Sequence, residues 1–443
     1  MVVENFKRKE LILPIGLGIL FSLLYIKLPL KYFAFLLMGF ISVVAILYDI
    51  RLGLIIGVFI MPYMPDMLNL LFMIFVIFAY IYRETFRERN PLTKDSIDVP
   101  IMVFLLAIII STITSLDPKG SFRDLAIHMI SIGFLFVMVN SIRNKKDFNI
   151  VITSLVFTGT LVALYGLYQY KVGVQMEAKW LDTENNSGIT TRVFSVFGNP
   201  NILAEYLIMI LPISASLFWY TKKLSQKVIF FLTSMILFIA LLLTYSRGGW
   251  LGFAFGMFIF VLLVQKKLFL LLIPLGLGSV YFLPQTILDR ILSIGNLADS
   301  SNAYRIKIWR ISIDIIKDHW VSGVGFGYIP FKKTFEAYIR TMPAYHAHNT
   351  YIETAAEMGI PGLVILLLFI FILYRYAIKK LIKGEDRYIK VVGAGILSGL
   401  AALLAQGAVE NVLYLPKIII TFWTLVSFVL VLMRISNESR EIG

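Results

Sequence analysis

The chain has 443 residues, of which 58% are hydrophobic and 15% are charged, and it carries a formal net charge of +14. Soluble globular domains contain about 25% charged residues, so this composition excludes the soluble class. The basic residues are scattered between apolar segments rather than clustered, which argues against a nucleic-acid-binding protein. The chain has no cysteine, which excludes disulfides, thiolate catalysis and cysteine-ligated metal sites.

Apolar segments as long as the hydrocarbon core of a bilayer recur along nearly the whole chain. They predict an all-α integral membrane protein with about 12 to 14 transmembrane helices. The range reflects the segment 52–64, which is short enough to be re-entrant. No small-residue cleavage site follows the first apolar segment, so we predict a retained span rather than a signal peptide. The predicted spans are 11–28, 32–48, 52–64, 67–82, 99–115, 124–141, 149–170, 201–220, 228–246, 249–264, 268–283, 361–378, 391–409 and 415–433.

Lysine and arginine are concentrated in alternate connections between the predicted spans. By the positive-inside rule these connections face the cytoplasm, both termini lie inside, and the long loops 171–200 and 284–349 face outward. The second of these is long enough to be a large extracytoplasmic helical loop. The basic residues that set this orientation are Arg83, Arg87, Arg89, Lys94, Arg143, Lys145, Lys146, Lys222, Lys223, Lys227, Lys266, Lys267, Lys379, Lys380, Lys383, Arg387 and Lys390.

The loop 284–349 contains three of the four histidines, His319, His346 and His348. Because histidine is rare in this chain, their clustering marks the loop as a candidate for chemistry. His346 and His348 are also candidate metal ligands, together with Glu353 and Glu357 downstream. Their spacing matches no familiar zinc pattern, so a metal site is the weaker interpretation.

A helix is predicted over 302–317 of this loop, with its N-cap among residues 300–302. On this helix Arg305 falls on the apolar side, beside Trp309, where its guanidinium needs an anionic partner or a route to water. An arginine that snorkels from the first turn is the alternative. The opposite, polar face consists of Lys307, Arg310, Asp314 and Lys317.

A short helix is predicted to begin just after His348, with Asn349 as its N-cap and Gly359 as its terminator. Pro361 then opens the next span. The positive end of the helix dipole disfavours an imidazolium at His348, so we expect a neutral imidazole that accepts a proton, with a phosphate favoured nearby. The alternative is an interfacial histidine engaged in local hydrogen bonds.

Other polar groups mark the outer ends of predicted spans. Ser246-Arg247-Gly248-Gly249 is a tight hairpin that holds Arg247 at the outer interface, where a snorkelling arginine is the plainer interpretation. Asn201 and Glu205 lie one turn apart at the start of a span, and Gln406 and Glu410 are expected to repeat that arrangement near the end of a later one. A buried carboxylate one turn into a span is costly and is rarely accidental. The stretch Gly323-x-Gly325-x-Gly327 lacks the third spaced glycine of a nucleotide loop and predicts a flexible turn.

Together these stretches resemble the O-antigen ligase and Wzy-type polymerase superfamily of bacterial membrane proteins, over roughly residues 195–380. The last of them matches the ligase pattern of His-Asn, nine residues and Gly-x-x-Gly. The ligases usually show Arg-x-x-x-Leu, whereas Trp309 stands in the last place here. The matching stretches are FGNPNILAEYL at 197–207, TYSRGGWLGF at 244–253, AYRIKIW at 303–309, SGVGFG at 322–327 and HNTYIETAAEMGIPGL at 348–363.

The resemblance implies a GT-C-related membrane glycosyltransferase without a metal, a nucleotide sugar or another cofactor. Its donor would be a glycan on undecaprenyl diphosphate, and its acceptor a hydroxyl on the outer face of the bacterial cytoplasmic membrane. His348 corresponds to the family's essential histidine, Arg305 to its loop arginine near the lipid diphosphate, and Arg247 to the arginine of its SRGG motif. The further candidates for binding the diphosphate or the glycan are Arg310, Asn349, His346, Glu353, Asn201 and Glu205.

Three regions are expected on this basis: N-terminal helices with the first long loop in 1–195, the ligase-like core in 196–380, and C-terminal helices in 381–443. Ligase and polymerase differ only in the acceptor, which is a lipid core, cell-wall polymer or protein for the first and a second lipid-linked repeat for the second. A lipid-linked oligosaccharide flippase is the alternative from another class, although its site would lie near the midplane between repeats. A membrane metallohydrolase built on the histidines is the third alternative.

Overall fold

The computed structural model describes residues 2–86, 97–174, 191–270, 284–295, 300–342 and 344–441, and the single residues 274, 278 and 281. Its longer elements are all helices, and no β-strand occurs among these residues. The predicted all-α fold class is therefore confirmed. The helices are α1 (Val2–Lys27), α2 (Leu30–Tyr48), α3 (Ile50–Ile60), α4 (Asp66–Phe86), α5 (Asp98–Ile113), α6 (Pro118–Ser141), α7 (Lys145–Val172), α8 (Pro200–Tyr220), α9 (Leu224–Leu243), α10 (Arg247–Val264), α11 (Gln285–Leu292), α12 (Ser300–Asp318), α13 (Tyr328–Tyr338), α14 (Thr350–Ala377), α15 (Arg387–Gln406) and α16 (Pro416–Glu441).

Ten helices in the described part of the chain are long and apolar enough to cross a membrane, namely α2, α4, α6 to α10 and α14 to α16. Three shorter apolar helices, Ile15–Lys27, Ile50–Ile60 and Asp98–Ile113, coincide with further predicted spans. The chain is thus a multi-pass membrane protein. The predicted span 268–283 lies mostly outside the described residues, as do the basic residues Arg87, Arg89 and Lys94 and the middle of the first long loop, 175–190.

Polar side chains fix where the helices begin. Asp117, Asn144, Ser246, Asn349 and Asp386 each stand just before a helix and accept a hydrogen bond from a backbone N–H two or three residues along the chain. This N-capping satisfies donors that have no partner within the helix. The starts of five helices therefore follow from local chemistry.

The two ends of the helix bundle differ in composition. One end, called here the basic end, holds the lysine- and arginine-rich connections, where Arg51 binds Asp147 at 2.8 Å and Lys145 binds Asp386. The opposite end, called the loop end, holds residues 114–117, 191–199, 244–246, 284–295, 300–342, 344–349 and 407–415. Helix α3 runs between the two, from Arg51 at the basic end to the turn at Pro62, whose carbonyl accepts a hydrogen bond from Lys417 at the loop end. The segment 52–64 therefore connects both ends, which favours a span over a re-entrant segment.

Glycines bring α8, α10 and α15 into close contact at the centre of the bundle. A Cβ added at Gly252 or Gly256 of α10 would lie 2.6 or 2.7 Å from a carbonyl oxygen of α15. One added at Gly399 of α15 would lie 2.2 Å from the carbonyl oxygen of Met209 in α8. Small residues four apart let membrane helices pack this closely. The packing places the start of α10, which carries Arg247, beside the end of α15.

Helices α11, α12 and α13 cover the loop end, as the predicted helical loop requires. Helices α12 and α13 share a small apolar core that includes Ile308, Ile315, Phe331 and Phe335. Arg305, Trp309, Ser312 and Ile316 fall on the inner side of α12, and Lys307, Arg310, Asp314 and Lys317 are exposed on its other side.

The glycine-rich stretch 323–327 that joins α12 to α13 is fully buried, so the predicted flexible turn is wrong. Val324 and Gly325 donate backbone hydrogen bonds to the carbonyls of Ala356 and Glu357 in α14. A Cβ at Gly323 would lie 2.2 Å from the carbonyl oxygen of Glu357. The glycines thus allow a close backbone contact and a positive φ rather than mobility.

Candidate active site

The histidine loop is held where α14 begins. The Asn349 side chain accepts hydrogen bonds from the backbone N–H groups of Tyr351 and Ile352, and its amide donates to the carbonyl of Ala408 at 2.7 Å. Gly359, with φ of 69°, interrupts the helix nine residues after its first residue, Thr350, and two residues before Pro361. The predicted cap, terminator and opening proline are therefore confirmed. His348 sits at the helix N-terminus, as expected.

His348 is joined to an arginine through one carboxylate. Its Nδ1 lies 2.6 Å from Oε1 of Glu410, and the other oxygen of Glu410 accepts a hydrogen bond from Nη2 of Arg305 at 3.1 Å. Arg305 thus has the anionic partner that its position on the apolar side of α12 required. Arg305 and Glu410 lie 43 and 62 positions from His348 in the sequence, yet the three side chains form a single hydrogen-bonded row.

Glu410 is ionised within this row. Its burial raises the pKa, but the hydrogen bond from His348 and nearby positive charge, that of Arg305 included, outweigh burial and hold the pKa at about 2. An ionised carboxylate accepts hydrogen bonds only, so Nδ1 of His348 must carry the proton between them. In the neutral ring Nε2 is then unprotonated. Its free lone pair is what a general base requires.

His346 lies behind His348. Their ring centroids are 4.2 Å apart, and the His346 ring also packs on Tyr414 at 4.6 Å. Burial, with a smaller contribution from His348, lowers the pKa of His346 to about 4, so this ring is neutral at physiological pH. Its Nδ1 accepts the backbone N–H of His348 at 3.3 Å. His346 therefore supports the loop rather than reaching outward.

Glu353 lies beneath the same loop. It is buried in the first turn of α14 and accepts a hydrogen bond from the backbone N–H of Ala347, between the two histidines. Glu357, one turn further, accepts from the backbone of Gly327, so the same helix face also holds the glycine stretch. The structure assigns Glu353 to the support of the histidine loop.

Four arginines converge beside this row. Arg192, Arg247 and Arg290 are each 8% exposed, and the Arg305 side chain is 19% exposed. Burial, and to a smaller extent the charges of Arg290, Arg247 and Arg305, lower the pKa of Arg192 to about 9, so these three arginines lie within electrostatic reach of Arg192. Four cations held together at low exposure repel one another and favour a bound anion.

Backbone and side-chain oxygens at the loop end accept hydrogen bonds from these guanidinium groups. Arg247, at the first position of α10, donates to the carbonyl of Ser293 at 3.1 Å, and Arg290 of α11 donates to the carbonyl of Tyr245 at 3.3 Å. Arg192 donates to the carbonyl of Thr244 at 2.9 Å and to Oδ1 of Asn201 at 3.1 Å. Asn201 therefore orients an arginine of the cluster. Glu205, one turn below it, is buried, and its Oε2 has no hydrogen-bond partner among the described residues.

Backbone strain is concentrated around the same site. Among the described residues, the non-glycine positions with positive φ are Ser195, Tyr245 and His348, at 51°, 50° and 50°. Ser195 follows Arg192, Tyr245 precedes the Arg247 hairpin, and His348 is the candidate base. Such conformations cost about 1–3 kcal/mol each and typically persist at functional sites.

The structure also places Arg310 and Glu410. Arg310 is exposed on the outer side of α12, away from Arg305, so it lies outside the arginine cluster, and its role in binding the diphosphate or the glycan stays a prediction. Helix α15 ends at Gln406, but the backbone N–H of Glu410 still donates to the carbonyl of Gln406 at 3.0 Å, so the two residues lie one turn apart as expected. The Glu410 side chain turns toward His348.

The candidate metal set also differs from the predicted one. Ligand atoms of His346, His348 and Glu410 lie within 4.8 Å of one another, whereas Glu353 and Glu357 contribute none. Two histidines and a carboxylate are a donor set that suits zinc. The guanidinium of Arg305 on Glu410 and the neighbouring arginines oppose a divalent cation there electrostatically. The arrangement is therefore better suited to an anion.

Arg192, Arg290, Glu410 and Tyr414 were missed as site residues in the sequence. Arg192 lies in the first long loop five residues before the FGNPN stretch, and Arg290 opens the second long loop. Both loops are predicted to face outward, where basic residues are rare, so the two arginines could have been recognised as site candidates from the sequence. No feature of the sequence marks Tyr414 as a site residue.

Comparison with known proteins adds one match. Residues 232–367, a little under a third of the chain, match the family model described as O-antigen ligase. The matched segment contains Arg247, Arg290, Arg305, His346 and His348, and it ends before Glu410. No curated protein matches the chain.

Proposed function

We propose that this multi-pass membrane protein, whose residues 232–367 match the O-antigen ligase family model, transfers a glycan from undecaprenyl diphosphate to an acceptor hydroxyl. One observation carries this proposal: the row His348–Glu410–Arg305 lies beside a cluster of four arginines. A base beside a cluster of cations is what glycosyl transfer from a lipid diphosphate needs.

The arginines supply the positive charge for the leaving group. As the bond between the anomeric carbon and the diphosphate oxygen breaks, its electron pair passes to the diphosphate. Guanidinium groups hold phosphate oxygens with paired hydrogen bonds and remain charged at any physiological pH. In a largely buried site such charges stabilise the developing anion more strongly than they would in water.

His348 acts on the acceptor hydroxyl. The acceptor oxygen attacks the anomeric carbon while its proton passes to the unprotonated Nε2, and Glu410 stabilises the imidazolium that forms. The transfer then needs no metal, because the positive charge comes from the arginines and the base from His348. A single displacement inverts the anomeric configuration. A product that retains the donor's anomeric configuration would contradict this mechanism.

The ligase and the polymerase share this step and differ in the acceptor. The experiment uses purified protein in lipid vesicles with a polyprenyl-diphosphate oligosaccharide as the only glycan, beside the His348→Ala variant. A ladder of longer lipid-linked products, absent in the variant, identifies a polymerase. Transfer that begins only when a lipid-core, cell-wall or protein acceptor is added identifies a ligase, which is the outcome we favour on the family match.

A flippase is the competing function. It would move labelled lipid across the vesicle bilayer and form no glycosidic bond, so the same vesicles distinguish the two. The position of the arginines and His348 at the loop end, rather than midway along the bundle, favours the transferase. With the basic end in the cytoplasm, the loop end and both substrates lie outside, and both termini lie inside. We place the protein in the bacterial cytoplasmic membrane.

A further inference from the structure

A cleft opens at the loop end beside the histidine loop, between the starts of α4, α8 and α16. It encloses about 520 Å³ including its open mouth. Its lining combines an aromatic ring, one cation and one anion with apolar side chains. The lining residues are Pro65, Asp66, Phe197, Ile202, Leu415, Pro416 and Lys417.

The polar groups of this cleft are held in place. Lys417 donates a hydrogen bond to the carbonyl of Pro62 at 2.7 Å and lies over the ring of Phe197, 5.6 Å from its centroid. Phe197 in turn packs on Tyr206, with ring centroids 5.0 Å apart. Asp66, partly exposed at the start of α4, acts electrostatically on Lys417. The ring and the ammonium group therefore present a preformed surface.

Two lining residues of the cleft adjoin residues of the candidate site in the chain. Leu415 comes directly after Tyr414, whose ring packs on His346. Ile202 comes directly after Asn201, which binds Arg192. The cleft therefore lies near both the histidine loop and the arginine cluster.

We propose that this cleft binds the acceptor glycan and directs its hydroxyl toward His348; this inference rests on the proposed transferase. Sugar hydroxyls both donate and accept hydrogen bonds, so an ammonium donor and a carboxylate acceptor across the cleft match them. The apolar face of a pyranose packs on an aromatic ring such as Phe197. The donor's reacting sugar must stay with its diphosphate at the arginines, which leaves the cleft for the acceptor.

Binding without catalysis tests the proposal first. The probe is a soluble oligosaccharide fragment of the envelope polysaccharide made by the source cells, followed by saturation-transfer NMR on protein in nanodiscs. Phe197→Ala and Lys417→Met should each weaken binding about tenfold. Phe197→Tyr, which keeps the ring, and Lys307→Gln, on the exposed side of α12, should bind as wild type does. Equal binding by wild type and by folded Phe197→Ala and Lys417→Met would overturn the proposal.

Kinetics then separate this inference from the proposed function. In the vesicle assay Lys417→Met should raise KM for the acceptor about tenfold and leave KM for the donor unchanged. A rise in the donor's KM alone would assign the cleft to the donor glycan and overturn the acceptor assignment. Oligosaccharide binding that depends on Phe197 and Lys417, in a protein without transferase activity, would refute the proposed function and leave a glycan site in the cleft. A melting curve for each variant guards against misfolding as the cause.

Discussion

Oε1 of Glu410 lies 2.6 Å from Nδ1 of His348, although the two residues belong to different loops at the loop end of the bundle. The second oxygen of the same carboxylate holds Arg305. One buried side chain therefore fixes the tautomer of the candidate base and the position of a candidate phosphate ligand. Its loss should disturb both substrates.

Glu410→Gln should lower kcat by roughly 10²- to 10⁴-fold, because the amide neither stabilises the imidazolium nor fixes the tautomer. The rate is measured with purified protein and saturating donor. A kcat at the wild-type level would contradict the pairing, whereas a variant that merely misfolds is recognised from its melting curve.

The two arginines that sequence analysis missed should matter as much as Arg305. Arg192→Gln and Arg290→Gln should each lower kcat/KM for the donor by roughly 10²- to 10³-fold, because each removes charge from the site of the developing diphosphate. Lysine at these positions should restore only part of the activity, since it cannot form paired hydrogen bonds. The matched control is Arg310→Gln, on the exposed side of the same helix as Arg305. A loss in the control equal to that in Arg192→Gln would point to overall surface charge instead.

The pKa of His346 predicts a pH-dependent stability. Burial lowers the folded-state pKa to about 4, whereas the unfolded chain takes up the proton near the ordinary value of 6.5. The unfolded state therefore binds more protons between these values, and stability falls as the pH drops from 6.5 to 4, at up to about 1.4 kcal/mol per pH unit. His346→Phe should remove this component. Melting curves from pH 7 to pH 4 for both proteins in the same detergent check it, and parallel losses would count against a buried neutral His346.

Gly323, in the buried glycine stretch, and Gly198 have similar positive φ angles, yet their substitution by alanine should change the free energy of unfolding by different amounts. Gly323 has φ of 67°, and a Cβ there would lie 2.2 Å from a carbonyl oxygen of α14. Gly323→Ala should cost about 3 kcal/mol or more, because the backbone itself must move. Gly198 has φ of 70° with no atom within 4 Å of an added Cβ, so Gly198→Ala should cost only about 1–2 kcal/mol. Similar melting shifts for the two variants would contradict the close contact with α14.

Local patterns explain which parts of this structure were predictable. The cap at Asn349, the interruption at Gly359 and the inner side of α12 depend on neighbours within a turn or two, and all were predicted. Helix existence followed from apolar length in the same way. The role of Glu410 was not predictable, since its partner His348 is 62 positions away and α15 had to end four residues before it.

The prediction of a flexible turn at the glycine-rich stretch 323–327 was wrong for a related reason. Glycine permits both a mobile turn and a close backbone contact, and the sequence does not show the carbonyls of α14 that decide between them. Arg310 lies outside the arginine cluster because it faces away from Arg305 on α12, and its predicted role in binding stays untested. The arginine cluster likewise combines Arg192 from one long loop with Arg247, Arg290 and Arg305 from later segments.

The most direct test of the account is the release of polyprenyl diphosphate from purified protein in vesicles that contain a lipid-linked oligosaccharide and its acceptor. The account predicts that release and glycosidic bond formation occur together, in equal amounts. His348→Ala should slow both by roughly 10²- to 10⁴-fold while the variant still binds donor. Transfer at the wild-type rate by folded His348→Ala would contradict the assignment of His348 as the base that activates the acceptor.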